Sequence, residues 1–404
     1  MLMQARLDRQ SWLLLIVFGL FACANALSGT FVNVFLWKVR PDYSLIGWFA
    51  LIQQLALGVV FLVGGAWAKQ HNKMNVLRLG IILAGLFYAS VLLLGKQAVN
   101  WIWLLGILMG AALGAFWLAF NVVYFEVTNA DNRDRFNGWV GLIGSASTMI
   151  APWASGLMIG AFGNTGYTYM FTASLVIFSA GVVLSFWLKK RPAEGRYDWS
   201  IVRQAWLEKN SPWKVTCFAL AAQGVRDGAY GFLIGLIVFI ATTNEVKVGN
   251  YTLYTSIAAL LSFYVVGRWL HSRYRGAGMI WGALFMALSV IPLFFGLKYS
   301  YLLLFGIGMA LASPFFTIPM TSITFDLMGQ SEKAVESRVE LTVVREFGLL
   351  VGRVLSISLF LLVVNWSPKT EVITVFLAVI GCAPIISAWL MRGLIAVRRA
   401  KPAK

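Results

Sequence analysis

The sequence predicts an all-α membrane protein of twelve transmembrane helices in two six-helix pseudo-symmetric halves. Three observations predict it. Apolar residues make up 59% of the 404 residues and charged ones only 12%, with a mean hydropathy of +0.77. A soluble domain of this size has no use for so much apolar surface. The apolar residues fall in runs of about 20 or more, the length that crosses a bilayer as a helix. Finally, the basic residues concentrate in alternate connecting loops.

Taken in order, the first span is 11–37. It is too long for a signal-peptide core and shows no small-residue cleavage site. The spans 43–68, 76–95, 101–127, 137–162 and 166–188 complete the first half. The second half holds 213–241, 248–270, 278–297, 300–328, 340–364 and 371–391. With the N-terminus inside, the cytoplasmic segments carry 24 Lys and Arg. The outer loops carry 6: Lys38, Arg40, Lys96, Lys247, Lys298 and Lys369. Such an imbalance puts both termini in the cytoplasm and the protein in the cytoplasmic membrane. It also explains the net charge of +17 by topology and contact with anionic lipid, not by nucleic acid. Cys23, Cys217 and Cys382 lie in separate apolar runs, which points to neither a disulfide scaffold nor a metal site.

The chain divides into residues 1–188, a cytoplasmic linker over 189–212, and residues 213–404, which end in a basic tail. In the linker Trp199, Val202 and Trp206 recur at helical spacing opposite Arg203, Gln204 and Lys209. That pattern fits either a short helix on the membrane surface or a linker without structure.

The halves repeat one another. Asn25-x3-Gly29 is matched 202 residues later by Asp227-x3-Gly231, and Gly65-x3-Lys69-x3-Lys73 by Gly267-x3-His271-x3-Arg275 at the same offset. Phe125-Glu126 is matched 200 residues on by Phe325-Asp326. Each match falls in the corresponding span, which argues for duplication around a central site.

With twelve spans, a long central loop and a six-plus-six repeat, the chain resembles the major facilitator superfamily over its whole length, and in particular uncharacterised facilitator-type transporters of Bacillus-like bacteria. Residues 65–74, GAWAKQHNKM, keep Gly65 and Lys73 of that family's loop motif but lack its Asp and the Arg that follows. In the fifth span Gly138, Ser147, Ala151-Pro152 and Ser155-Gly156 follow the family's antiporter motif, with small residues in place of several glycines. The resemblance implies an exchanger-type hinge there; ordinary small-residue helix packing is the plainer reading. It also implies that spans one, four, seven and ten line the transport cavity. These carry Asn25 and Asn33; Trp117, Asn121 and Tyr124; Gln223, Arg226, Asp227 and Tyr230; and Phe316 and Thr317.

The chemistry concentrates in five deep charges. Arg226 and Asp227 sit in the middle of the seventh span; Arg345, Glu346 and Arg353 sit in the eleventh. A charge at the centre of a membrane helix costs roughly 3 kcal/mol on insertion scales, so these residues face protein or water, as a transport site or as a structural ion pair. Three positive charges against two negative leave one arginine over, which hints at a substrate with a negative group. Asp227 is the candidate proton carrier. Adjacent side chains on a helix diverge by about 100°, so Asp227 is expected to face the central cavity or to pair with Arg353 or Arg345, with Arg226 completing that cluster or reaching an anionic substrate. Glu126 and Asp326 end their spans at the cytoplasmic side, with Lys69, Lys73, Arg135 and Arg338 nearby, and suit gate salt bridges or solvated helix ends.

There is no P-loop, no HExxH and no GxGxxG after a strand, and the two histidines, His71 and His271, lie in loops. The expectation is therefore not an enzyme, with no cofactor and no metal. It is a monomeric secondary transporter of a small organic solute, exporter or antiporter before importer, with proton coupling as a further expectation. A lipid flippase or a non-transporting receptor on the same fold is the alternative.

Overall fold

The computed structural model describes residues 7–128, 132–190, 195–208, 211–270, 274–329 and 337–400, with the side chains of 125, 133, 134 and 395–400 excepted. His271, Lys209 and the last four residues lie outside the described residues, as does the side chain of Phe125. Six helices make the first half: α1 (Arg9–Val39), α2 (Tyr43–Gln70), α3 (Lys73–Leu94), α4 (Ile102–Val127), α5 (Arg133–Phe162) and α6 (Asn164–Ser185). A short helix, α7 (Trp199–Leu207), precedes α8 (Pro212–Thr242), α9 (Glu245–Trp269), α10 (Arg275–Leu288), α11 (Tyr299–Met328), α12 (Arg338–Trp366), α13 (Thr370–Gly381) and α14 (Ala383–Ala400).

Local chemistry sets the helix starts. The carboxylate of Asp8 accepts from the Ser11 backbone N–H at 2.7 Å, and that of Asp42 from Ser44 at 2.9 Å. Asn72 caps α3 through Met74, and Ser211 caps α8 with Pro212 in the first turn. Between α5 and α6 the chain reverses at Gly163, where φ is +57°, a conformation that costs a residue with a Cβ more than glycine.

Two predicted spans are interrupted. The ninth ends in a tighter 3-10 turn over Ile291–Phe295, where Pro292 cannot donate to the helix ladder. The twelfth breaks at Cys382, just before Pro384, into α13 and α14. Among the described residues eleven helices are long and apolar enough to cross a membrane. The eighth predicted span, α9, has the length at 25 residues but is more polar, with Asn250, Thr252, Thr255 and Ser256 in its first half.

Two compact units result. One runs through Tyr197 and takes in Asn244–Leu253; the other holds Asp198–Thr243 and the chain from Tyr254 onward. In the first, α1 packs on α5 and α6, α3 on α4 and α6, and α2 on α4. In the second, α8 packs on α12 and α14, α10 on α11 and α14, and Ser262 of α9 donates to the Leu311 carbonyl of α11 at 2.6 Å. The same neighbours recur at a spacing of six spans, so one helical plan is used twice. Helix α7 belongs to the second unit. Its Ala205 packs with Cys217 and Val344, flanked by Val202, Trp206 and Trp213, while Trp199 and Leu207 stay exposed.

Candidate functional site

The deep charges of the second unit are positioned by a seam of glycines between α8 and α12. A Cβ on Gly224 would stand 2.1 Å from the Leu349 carbonyl oxygen, and one on Gly228 would stand 2.6 Å from Arg353 Cα. From the other side, a Cβ on Gly352 would stand 1.9 Å from the Ala221 carbonyl oxygen. The backbones therefore touch, which only glycine permits. Gly224-x3-Gly228 and Gly348-x3-Gly352 are small residues at helical spacing, a signal that was present in the sequence and that the charged residues obscured.

Arg226 and Asp227 lie at the midpoint of the 31-residue α8, and Arg353 lies near the midpoint of the 29-residue α12. Of the alternatives for Asp227, the structure shows the ion pair with Arg226 and, among the described residues, no bond across to α12. Arg226 Nε donates to Asp227 Oδ1 at 2.9 Å, and Gln223 Nε2 donates to Oδ2 at 3.2 Å. The long arginine side chain folds back over the turn, which offsets the divergence of the two Cβ directions. Its NH1 reaches Met286 Sδ at 3.5 Å. Arg353 instead bonds Glu346 at 2.6 Å, two turns along its own helix. These four side chains keep 12–25% of their surface accessible, so they are neither sealed in the helix packing nor fully exposed.

Arg345 is the arginine left over. Its guanidinium carbon lies 5.7 Å from the centre of the Phe325 ring, and its buried Nε has no hydrogen-bond partner. In the first unit, Asn25 occupies the position that matches Asp227, and its Oδ1 is likewise buried without a partner. Asn121 and Tyr124 are half-buried on α4, with Tyr124 packed against Phe136.

At the ends of the spans, Lys73 donates to Glu126, and Arg275 bonds Asp326 at 3.4 Å. Lys69 is buried, Arg338 is half-buried at the start of α12, and Arg135 is exposed. In α5, Ser155 donates to the Leu27 carbonyl of α1 at 2.6 Å, and Gly156 sits where a Cβ would meet the Glu245 carbonyl oxygen at 2.7 Å. Ala151 and Pro152 are buried and Ser147 is half-buried, whereas Gly138 has open space where a Cβ would go.

Sequence reasoning missed one cluster. Glu245, at the start of α9, accepts from Lys38 at 2.8 Å and from the Tyr167 hydroxyl at 3.0 Å. Its members are 207 and 78 residues apart in the chain, and no periodicity links them.

A twice-used six-helix plan with charge pairs inside its spans is the architecture of a multi-pass membrane transporter. Comparison with known proteins agrees. The sequence model of the Major Facilitator Superfamily matches residues 12–335. The chain is 36% identical over 369 residues to the uncharacterised protein YqgE of Bacillus subtilis (strain 168), covering 91% of this chain and 86% of that one. The chain belongs to the Major Facilitator Superfamily. Among solved structures it is similar to the nucleoside transporter NupG, with a TM-score of 0.71 at 13% identity, over 96% of this chain and all of that one. It is also similar to a bacterial homologue of the iron transporter ferroportin in its inward-facing state, with a TM-score of 0.69 at 15% identity, over 97% and 100%. At such identities the likeness is one of fold.

Proposed function

We propose that the protein is a secondary transporter that moves a small organic solute across the cytoplasmic membrane by alternating access, coupled to protons through Asp227. The observation that carries this reading is the Arg226–Asp227 pair at the midpoint of α8, with side chains still 13% and 25% accessible. A pair kept only for packing gains nothing from that access, whereas a proton carrier requires it. Ionised, Asp227 accepts from Arg226 and Gln223. Protonation removes the charge that holds the guanidinium, so Arg226 becomes available to another partner. One proton thus switches the site between two arrangements, which is what coupling needs. The small residues of α5, Ser155 and Gly156 above all, support exchange before uptake. The distribution of Lys and Arg supports cytoplasmic termini.

The test is purified protein in liposomes. Counterflow of a solute that dissipates an imposed pH gradient is the expected result. No counterflow with a broad panel of solutes, in protein shown to be folded, would overturn the reading. Reporter fusions at Lys404 and within the linker should both report the cytoplasm, and one near Lys247 the outside.

A further inference from the structure

We infer that Arg345 is the contact point for an oxyanion, carboxylate or phosphate, carried by the solute, an inference that rests on the transporter reading. Besides Glu340, which is buried in the first turn of α12 and accepts from the Asp198 backbone N–H at 3.0 Å, five charged side chains lie further into α8 and α12. Each carboxylate is already answered: Asp227 by Arg226 and Gln223, Glu346 by Arg353. Arg345 remains. Its guanidinium carbon lies 5.7 Å from the centre of the Phe325 ring, a contact that answers part of the charge. The Nε donor is buried with no hydrogen-bond partner.

A half-buried guanidinium whose Nε donor is buried and unmet is costly unless a ligand completes it. The guanidinium edge presents parallel N–H donors that match the two oxygens of a carboxylate or phosphate, and a neutral amide or hydroxyl meets that edge less well. Arg345 stands seven residues into α12, about 10 Å from the helix start. A lipid headgroup phosphate presents the same oxygens as a solute at that position, and phosphatidylglycerol in the experiment separates the two.

The experiment follows thermal unfolding of the full-length protein in neutral detergent, with acetate, benzoate, citrate and inorganic phosphate at matched ionic strength, with phosphatidylglycerol as the lipid arm, and with benzamide as the uncharged control. At least one anion should raise Tm by several degrees in a saturable way, and benzamide should not. Arg345→Gln should erase the shift and Arg345→Lys should weaken it. Without anions, Arg345→Met should unfold at the wild-type temperature or above it. The inference is overturned if no anion shifts Tm, if the shift persists in Arg345→Gln, or if only phosphatidylglycerol produces it. It is equally overturned if Arg345→Met unfolds several degrees lower without anions, since the guanidinium would then be answered within the protein. The readout is binding, so failure to transport leaves this inference standing, and a working transporter indifferent to anions sinks it alone.

Discussion

Lys73, at the start of α3, forms an ion pair with Glu126, near the end of α4, and the second unit repeats that pair with Arg275 and Asp326 at the matching positions. The copies are not equal. The Lys73 side chain is fully buried and Glu126 is 17% exposed, whereas Arg275 and Asp326 are 35% and 51% exposed. Removing one partner of a buried pair strands a charge, at about 3 kcal/mol or more. Removing one partner of an exposed pair costs under about 1 kcal/mol. Lys73→Met should therefore lower Tm by several degrees and Arg275→Met hardly at all. Equal losses in thermal unfolding would mean that burial does not set the cost.

Asp227→Asn keeps the shape of the side chain and one acceptor for Arg226 but loses the charge and the exchangeable proton. With the site partly accessible, water softens the loss, so the variant should elute as a monodisperse peak and unfold within a few degrees of the wild type. Proton-coupled flux in liposomes should vanish. If the pair is structural, the variant should instead aggregate, and Arg226→Met/Asp227→Leu should fold again. Full coupled flux in Asp227→Asn would remove Asp227 from the mechanism.

The glycine seam gives a sharper contrast. In Gly352→Ala the new methyl group meets the Ala221 carbonyl 1.9 Å away, and since that atom is backbone, whole helices have to part. Gly138→Ala meets nothing within 4 Å and gains about 1 kcal/mol of helix propensity. The first should express poorly or lose several degrees of Tm, and the second should hold or gain stability. The reverse ranking would show that the α8–α12 contact is looser than the close approach of their backbones implies.

These residues also show what the sequence could reveal. The twelve spans and the repeat follow from run length and residue spacing, which are local properties. The charge arithmetic that leaves one arginine over is a count along the chain, and it passes over Glu340, buried in the first turn of α12. The ion pair of Asp227 with its neighbour was one of the readings left open, because helical geometry fixes where a Cβ starts but not where a long arginine side chain ends. The breaks at Pro292 and Pro384 were within reach, since proline removes a donor wherever it falls. The Glu245 cluster was not, because it is assembled from three separate segments and none of them carries a pattern that names the others.

That cluster permits a ranking by magnitude. Glu245 receives two bonds, one from Lys38, whose side chain is 34% exposed, and one from Tyr167, which is only 2% exposed. An exposed ion pair contributes up to about 1 kcal/mol, most of it screened by salt. A buried hydroxyl bonded to a charged acceptor contributes about 1.5–3 kcal/mol, and its loss leaves part of the carboxylate's hydrogen-bonding capacity unanswered. Tyr167→Phe should therefore destabilise the protein more than Lys38→Met, although the lysine carries the full charge. Raising the ionic strength should shrink the Lys38→Met effect and leave the Tyr167→Phe effect in place. Glu245→Gln keeps an acceptor oxygen for the hydroxyl, so it should resemble Lys38→Met more than Tyr167→Phe. Thermal unfolding of the three variants at low and high salt checks the order. If Lys38→Met proves the costlier change at both, the charge dominates and the buried hydroxyl is incidental.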